Sequence, residues 1–282
     1  MCILVDEALD QWNALAEREE NIANKIQPPS SSEQQEGQEG QTHQRHPSIA
    51  RKNKNIIHSC PTVWREKICE WCYQVVDHCN IDRDVVSIAL SYFDRYLSLQ
   101  TSIGDSVFQL VAMTSLYLAV KMHSTRKISV SSISSLSKGC FRVDQILKME
   151  ICIIKSLRWH LNPPTPSMYL NVVNPLFDIS VIDPQASFEI TELSRYLLEL
   201  SVCDAYFIDK KPSSIAYAAI SVAMEGLPTP AKMQRDFGLY QLDKSPHVTE
   251  LCAQRLRHVY SLAVSTQTED EDRGNLSPTS VI

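Results

Sequence analysis

From Pro61 to Asn162, apolar side chains recur three and four residues apart in five segments, roughly 62–79, 82–99, 106–122, 129–137 and 142–158. That spacing lines one face of an α-helix. Turn chemistry bounds each segment. Cys60-Pro61-Thr62 supplies a cap and first turn, Asn80-Ile81-Asp82 opens the second segment, Gly104-Asp105 the third, and Gly139 stops the fourth before Arg142 begins the fifth. The third, Phe108–Val120, is apolar on almost every face, which predicts the central buried helix of a bundle. After Asn162-Pro163-Pro164-Thr165-Pro166 the plan returns, with helices near 166–174, 185–204, 212–226, 230–237 and 247–264. Phe93-Asp94-Arg95-Tyr96-Leu97 echoes in Leu193-Ser194-Arg195-Tyr196-Leu197, and each half has an apolar third helix. A period of about a hundred residues is too long for a solenoid repeat and predicts two tandem five-helix bundles, an all-α protein.

The flanks read differently. Residues 1–27 alternate apolar and acidic positions as one amphipathic helix ending before Pro28-Pro29. Residues 28–59 fall largely to Ser, Gln, Glu, Gly and His, a composition that cannot bury enough surface to offset its ordering entropy, so a disordered linker is expected. Arg51-Lys52-Asn53-Lys54 within it reads as a solvated charge cluster or a nuclear-import signal. Residues 60–162 and 163–264 are the two bundles, and 265–282 is an acidic, hydroxyl-rich tail expected to be disordered. Ser277-Pro278 there is a phosphorylation motif no commoner than chance.

Composition narrows the choice. Glycine occurs 7 times in 282 residues, and only Gly104, Gly139, Gly226 and Gly238 lie between residues 60 and 264. That scarcity counts against β-sandwiches, dinucleotide crevices and phosphate loops, which need tight glycine turns. Residues 1–27 carry two basic and six acidic groups, 28–55 four and three, and 265–282 one and four. The remainder balances twenty against twenty, and a neutral core speaks against nucleic acid as a partner. The 9 cysteines are odd in number and scattered, and the Cys2–Val5 run meets Asp6 too early for a secretory leader; reduced thiols in an intracellular compartment are expected. The longest apolar run, Leu110–Val120, falls short of the roughly 18–20 residues that span a bilayer. No membrane partner is expected.

Catalytic chemistry finds little support. The chain has no HExxH, no GxSxG and no paired catalytic carboxylates, and its 8 histidines cluster nowhere. No catalytic residue, cofactor or metal is expected. Cys69-x-x-Cys72 lacks both the βαβ context of a redox site and the second pair of a zinc site; two helix-packing cysteines are the better reading. Charges inside core helices are more informative. Lys121 ends the most apolar helix, and Glu150 sits among Leu147, Met149, Ile151 and Ile153. A buried ion must be paired or held for a partner. Lys121 is either a snorkelling lysine at a helix end or such a held charge, and neither it nor Glu150 has an evident internal partner in the sequence. Arg65 and Asp94, on the first two helices, are expected to form an internal pair locking them together.

Trp64-Arg65-Glu66-Lys67-Ile68-Cys69-Glu70-Trp71, then Tyr92-Phe93-Asp94-Arg95-Tyr96-Leu97, then Gln109-Leu110-Val111 running to Leu118-Ala119-Val120-Lys121, then Lys148-Met149-Glu150 to Leu157-Arg158-Trp159, resemble the successive helices of the cyclin box. The match covers residues 60–165 in order with little change of spacing. Lys121-Met122 and Leu157–Asn162 resemble the D-type cyclins more than the mitotic ones, and 166–264 resembles the cyclin C-terminal fold in plan only. The resemblance implies two tandem five-helix cyclin folds and a non-catalytic regulatory subunit. Such a subunit binds and activates a cyclin-dependent serine/threonine protein kinase in cell-cycle control, in the nucleus and/or cytoplasm. Lys121 and Glu150 would face the kinase and bond backbone groups around its mobile regulatory helix, with Ile154, Trp159 and Leu161 as apolar contacts. The bound cyclin pushes that helix inward, so that its glutamate meets the ATP-positioning lysine and the activation segment opens.

Three departures qualify the match. Met122-His123-Ser124 stand where many cyclins have an aromatic and two acids, which alters the polar contact and the kinase preference. The patch that would dock substrates or inhibitors of the kinase keeps Ile68, Trp71 and Gln109, but Trp64 and Lys67 replace apolar residues, and Gln74 replaces the acid that reads a substrate arginine. Docking of arginine-x-leucine peptides is therefore expected to be weak. No destruction box precedes residue 60 and no LxCxE motif is present. Two other readings stand beside this one: a cyclin-fold transcription factor, which the neutral core and absent second CxxC disfavour, and a helical scaffold without a kinase.

Overall fold

The computed structural model describes residues 2–26, 62–100, 105–179, 184–225 and 241–274. Among them every regular element is helical: α1 (Cys2–Ile26), α2 (Thr62–His78), α3 (Asp84–Ser98), α4 (Asp105–His123), α5 (Val130–Leu136), α6 (Val143–Ser156), α7 (Pro166–Ile179), α8 (Pro184–Cys203), a 3-10 turn (Ala205–Phe207), α9 (Pro212–Met224) and α10 (Pro246–Gly274). The chain divides into two compact units, Ala14–Thr165 and Met1–Asn13 with Pro166–Ile282. The segment expected to be a disordered linker, its basic cluster, the helix expected at 230–237 and Ser277-Pro278 lie outside the described residues.

In the first unit α4 is the axis. Val111, Ala112, Met113, Thr114, Ser115, Leu116, Tyr117, Leu118, Ala119 and Val120 are buried in unbroken succession, as a helix apolar on all faces must be. α2, α3, α5 and α6 pack around it. The turns between them follow local chemistry. α2 ends with Asn80 at φ 51, Ile81 N donating to Val76 O at 2.8 Å and Asn80 N to Asp77 O at 3.1 Å. Asparagine tolerates this left-handed cap, and Ile81 behind it is buried. Ser129 caps α5 by accepting from Ser132 N at 3.0 Å. Gly139 closes α5 at φ 83, a conformation glycine takes without strain.

In the second unit α9 is the small-residue helix: Ala216, Ala218, Ala219 and Ala223 are buried with Ile215, Ile220 and Met224, and α7, α8 and α10 pack on it. Trp12 of α1 is buried edge-on against Tyr169 of α7, ring centres 4.6 Å apart. Two boundaries differ from the sequence expectation. α7 continues through Pro175 to Ile179 instead of stopping at 174. Pro175 is exposed, and the helix beyond it buries Leu176 and Phe177, a gain that exceeds the cost of one missing backbone bond. α10 runs on past Ser265 to Gly274, because nothing between those residues breaks a helix once the preceding turns are anchored. The echo between the halves is one of position only: Arg195 is exposed and paired with Glu192 of its own helix, whereas Arg95 is largely buried.

Candidate functional site

The Arg65 guanidinium donates to Asp94 through Nε at 3.1 and 3.3 Å and through Nη2 at 2.8 Å, joining α2 to α3 with both side chains nearly out of solvent. Fork-on-carboxylate geometry is the strongest form such a pair takes. Its role is to hold together the bundle on which α6 sits.

α6 presents the candidate surface. Leu147, Glu150, Ile151 and Ile154 fall at i, i+3, i+4 and i+7, one stripe of the helix. Two of the three aliphatic members are exposed, Leu147 at 38% and Ile151 at 52%, and Ile154 is half-buried. Glu150 in their midst is only 5% exposed. Its Oε1 accepts from Lys121 Nζ at 2.8 Å, across from the last turn of α4. Sequence reasoning left these two charges without an internal partner; the structure corrects this, since each is the partner of the other. The bond to Glu150 raises the Lys121 pKa above its ordinary value, and the ammonium also sits 5.6 Å from the Tyr117 ring. Half of the Lys121 side chain stays in solvent, so the pair is open at the lysine end. Lys127 Nζ donates to Lys121 O at 2.8 Å and to Ser124 O at 2.5 Å, satisfying carbonyls that the end of α4 leaves orphaned.

Beyond α6 the chain turns sharply. Arg158 N donates to Lys155 O at 3.0 Å and Trp159 N to Ile154 O at 3.1 Å, with Arg158 at φ 51 and Trp159 at φ 63. This double-bonded cap normally places glycine at its left-handed position. Two bulky residues there store backbone strain of about 1–3 kcal/mol each. Trp159 is 74% exposed, so burial of its own side chain does not hold it there. The next carbonyls do: Arg95 Nη2 donates to His160 O at 3.0 Å, Tyr92 Oη and His123 Nε2 both bond Leu161 O, the latter at 2.7 Å, and Arg18 Nη2 donates to Asn162 O at 3.1 Å. Burial depresses the Arg95 pKa to about 10 and raises that of Tyr92.

Of the residues expected on this face, the structure brings Lys121 and Glu150 into contact, puts Ile154 on their stripe and leaves Trp159 on the surface. Leu161 is a correction: it is 7% exposed, turned inward by the bonds that anchor its carbonyl and those of its neighbours. Sequence reasoning missed Leu147, Ile151 and the 52%-exposed Met122; the i, i+4, i+7 spacing of 147, 151 and 154 was the signal that could have found two of them. The other expected patch is less open. Ile68 and Trp71 are half-buried, and Trp71 packs against the buried cluster formed by Met113, Tyr117, Ile133 and Ile146, while Gln109 and Trp64 are exposed. Cys69 and Cys72 are buried at 0% and 1%, and no group of metal-ligating side chains occurs among the described residues.

Residues 32–162 match the family model for the cyclin N-terminal domain, and residues 164–276 that for the cyclin C-terminal domain. The chain belongs to the cyclin family. The G1/S-specific cyclin-E1 of Gallus gallus is 26% identical over 183 residues, covering 63% of this chain and 42% of the relative. The G1/S-specific cyclin-D1 of Bos taurus is 25% identical over 163 residues, covering 58% and 54%. The chain thus spans about half the length of these cyclins. Among solved structures, a viral cyclin from herpesvirus saimiri superposes with a TM-score of 0.60 at 14% identity, over 75% of this chain and 96% of that one. A chain of the CAK complex from Chaetomium thermophilum bound to ATP-γ-S superposes at 0.56 and 17% identity, over 90% and 74%. These two likenesses concern the cyclin fold alone. Among the described residues no helix is long and apolar enough to cross a membrane.

Proposed function

We propose that this cyclin is the regulatory subunit of a cyclin-dependent serine/threonine protein kinase in cell-cycle control, acting in the nucleus and/or cytoplasm and contributing no catalytic residue. The observation that carries the reading is the buried Glu150 carboxylate, bound by Lys121 and flanked by exposed Leu147 and Ile151 and half-buried Ile154. A fold completing its own core has no reason to surround an ion pair with exposed aliphatic side chains, whereas a partner-facing surface does. The pair would bond backbone groups of the kinase's mobile helix, and Ile151, Ile154, Met122 and Trp159 would supply the apolar contact. Holding that helix inward brings its glutamate to the ATP-positioning lysine, a positioning mechanism in which all bond-making belongs to the kinase. Ile68, Trp71 and Gln109 would form a weak dock for substrates or inhibitors of that kinase.

The test is affinity purification of the full chain beside Lys121→Ala/Glu150→Ala, with histone kinase activity assayed in each eluate. Activity is expected with the wild type and not with the double variant. Because Glu150 is buried, Ile151→Asp is run in parallel; its side chain is half in solvent, so loss of the kinase with unchanged helicity reports on the surface. A kinase retained at full activity by Ile151→Asp and the double variant alike would refute the assignment.

A further inference from the structure

Between α4 and α5 the chain runs through residues 124–129 without regular structure, and Arg126, Lys127 and Ser129 are all exposed. Ser129 has extended backbone, φ −72 and ψ 149. Its hydroxyl lies 2.8 Å from both Ser131 Oγ and Ser132 Oγ. Arg126 and Lys127 stand three and two residues before it. Ser131, Ser132 and Ser135 are exposed too, but they sit on helical backbone and have no cation at those two positions. An exposed hydroxyl on extended chain, preceded by a guanidinium and an ammonium, is what an enzyme with an acidic peptide cleft can grip.

We propose that Ser129 is the acceptor for a basophilic protein kinase, and that the phosphate draws Lys127 off the end of α4. In the transfer the γ-phosphorus of ATP breaks its bond to the ADP oxygen and bonds to Ser129 Oγ. The hydroxyl proton passes to the modifying enzyme's aspartate. The product carries roughly −1.5 to −2 charges and three strong acceptor oxygens. Lys127 now spends its ammonium on two neutral carbonyls, Lys121 O and Ser124 O. A phosphate two residues along the chain is the better acceptor, because it meets the ammonium with full opposite charge and three acceptor oxygens where a carbonyl offers only a dipole. Modification therefore uncaps the last turn of α4, the turn on which Lys121 stands. This inference does not depend on the partner proposed above.

The experiment treats the full chain with MgATP and the catalytic subunit of the cyclic-AMP-dependent protein kinase, maps the phosphate by mass spectrometry, and follows amide hydrogen exchange. Phosphate is expected on Ser129, with incorporation falling about tenfold or more in Ser129→Ala and in Arg126→Gln/Lys127→Gln, which lacks the charges that attract the enzyme. Exchange should quicken at residues 122–125 of the phosphorylated chain, including Ser124 N, now bonded to Val120 O at 3.1 Å. Lys127→Met should reproduce that quickening without phosphate. Undiminished incorporation in Ser129→Ala, or phosphate placed on Ser131 or Ser132, would overturn the acceptor. Phosphate on Ser129 with unaltered exchange would overturn the coupling to α4.

Discussion

Arg65 and Asp94 show how one pair can matter more for its removal than for its presence. Both side chains are nearly buried, so deleting one partner strands a charge. Asp94→Ala is expected to cost about 3–5 kcal/mol in denaturant unfolding, while Arg65→Met/Asp94→Leu recovers most of that loss. This pair was legible from sequence, because two opposite charges set inside neighbouring apolar helices have little to bond except each other. The Lys121–Glu150 bond was not, since its members are separated by a helix and two turns that no periodicity positions. Trp159 makes the opposite case. It sits at φ 63 with 74% of its surface exposed, so Trp159→Gly removes strain and little packing. We expect a gain of about 1 kcal/mol in stability, read as a higher unfolding midpoint, together with weaker kinase association in the purification assay. Unchanged stability would mean that the tryptophan ring contributes packing that offsets its strain.

At the scale of elements, the placement of a side chain on a helix face or in a turn decides which groups react. Cys140 and Cys152 are exposed, whereas Cys69, Cys72 and Cys252 are buried, and burial pushes the Cys252 thiol up to about 11. Iodoacetamide at pH 8 should therefore label Cys140 and Cys152 in the native chain and reach the buried three only after unfolding, as counted by peptide mapping. The start of α6 has its own acid response. The hydrogen bond from Arg142 holds the Asp144 carboxyl down at about 2, against an ordinary 3.8. A carboxyl depressed on folding adds stability above its unfolded pKa and loses it as pH falls through the folded one, so this contribution is full above pH 4 and fades toward pH 2. A carboxyl-carbon NMR titration of Asp144 should show a midpoint near 2, and one near 3.8 would dissolve the pairing. Helix existence was readable throughout the described residues from period and caps. Ends were less so: Pro175 argues for a stop that burial of Leu176 and Phe177 overrides, and the acidic run after Ser265 reads as disorder although a long helix enters it.

For the molecule as a whole, charge separates the remaining readings. Between the acidic ends the chain balances its cations and anions, so a gel-shift titration with duplex DNA at physiological salt should show no retarded complex. A salt-dependent shift would favour the transcription-factor alternative. With Gln74 where an acid would read arginine, and Trp71 half-buried against the cluster that includes Met113 and Tyr117, an arginine-x-leucine peptide should bind weaker than micromolar by fluorescence polarisation. The segment that follows α6 carries a last consequence. His160, Leu161 and Asn162 are gripped through their carbonyl oxygens by Arg95, Tyr92, His123 and Arg18, and a carbonyl is common to every amino acid. The mounting of 160–162 thus runs through the backbone, and the exposed Trp159 ring takes no part in it. The exposed Trp159 side chain can therefore be exchanged, altering the face offered to a partner, while the socket that holds the carbonyls of 160–162 stays intact.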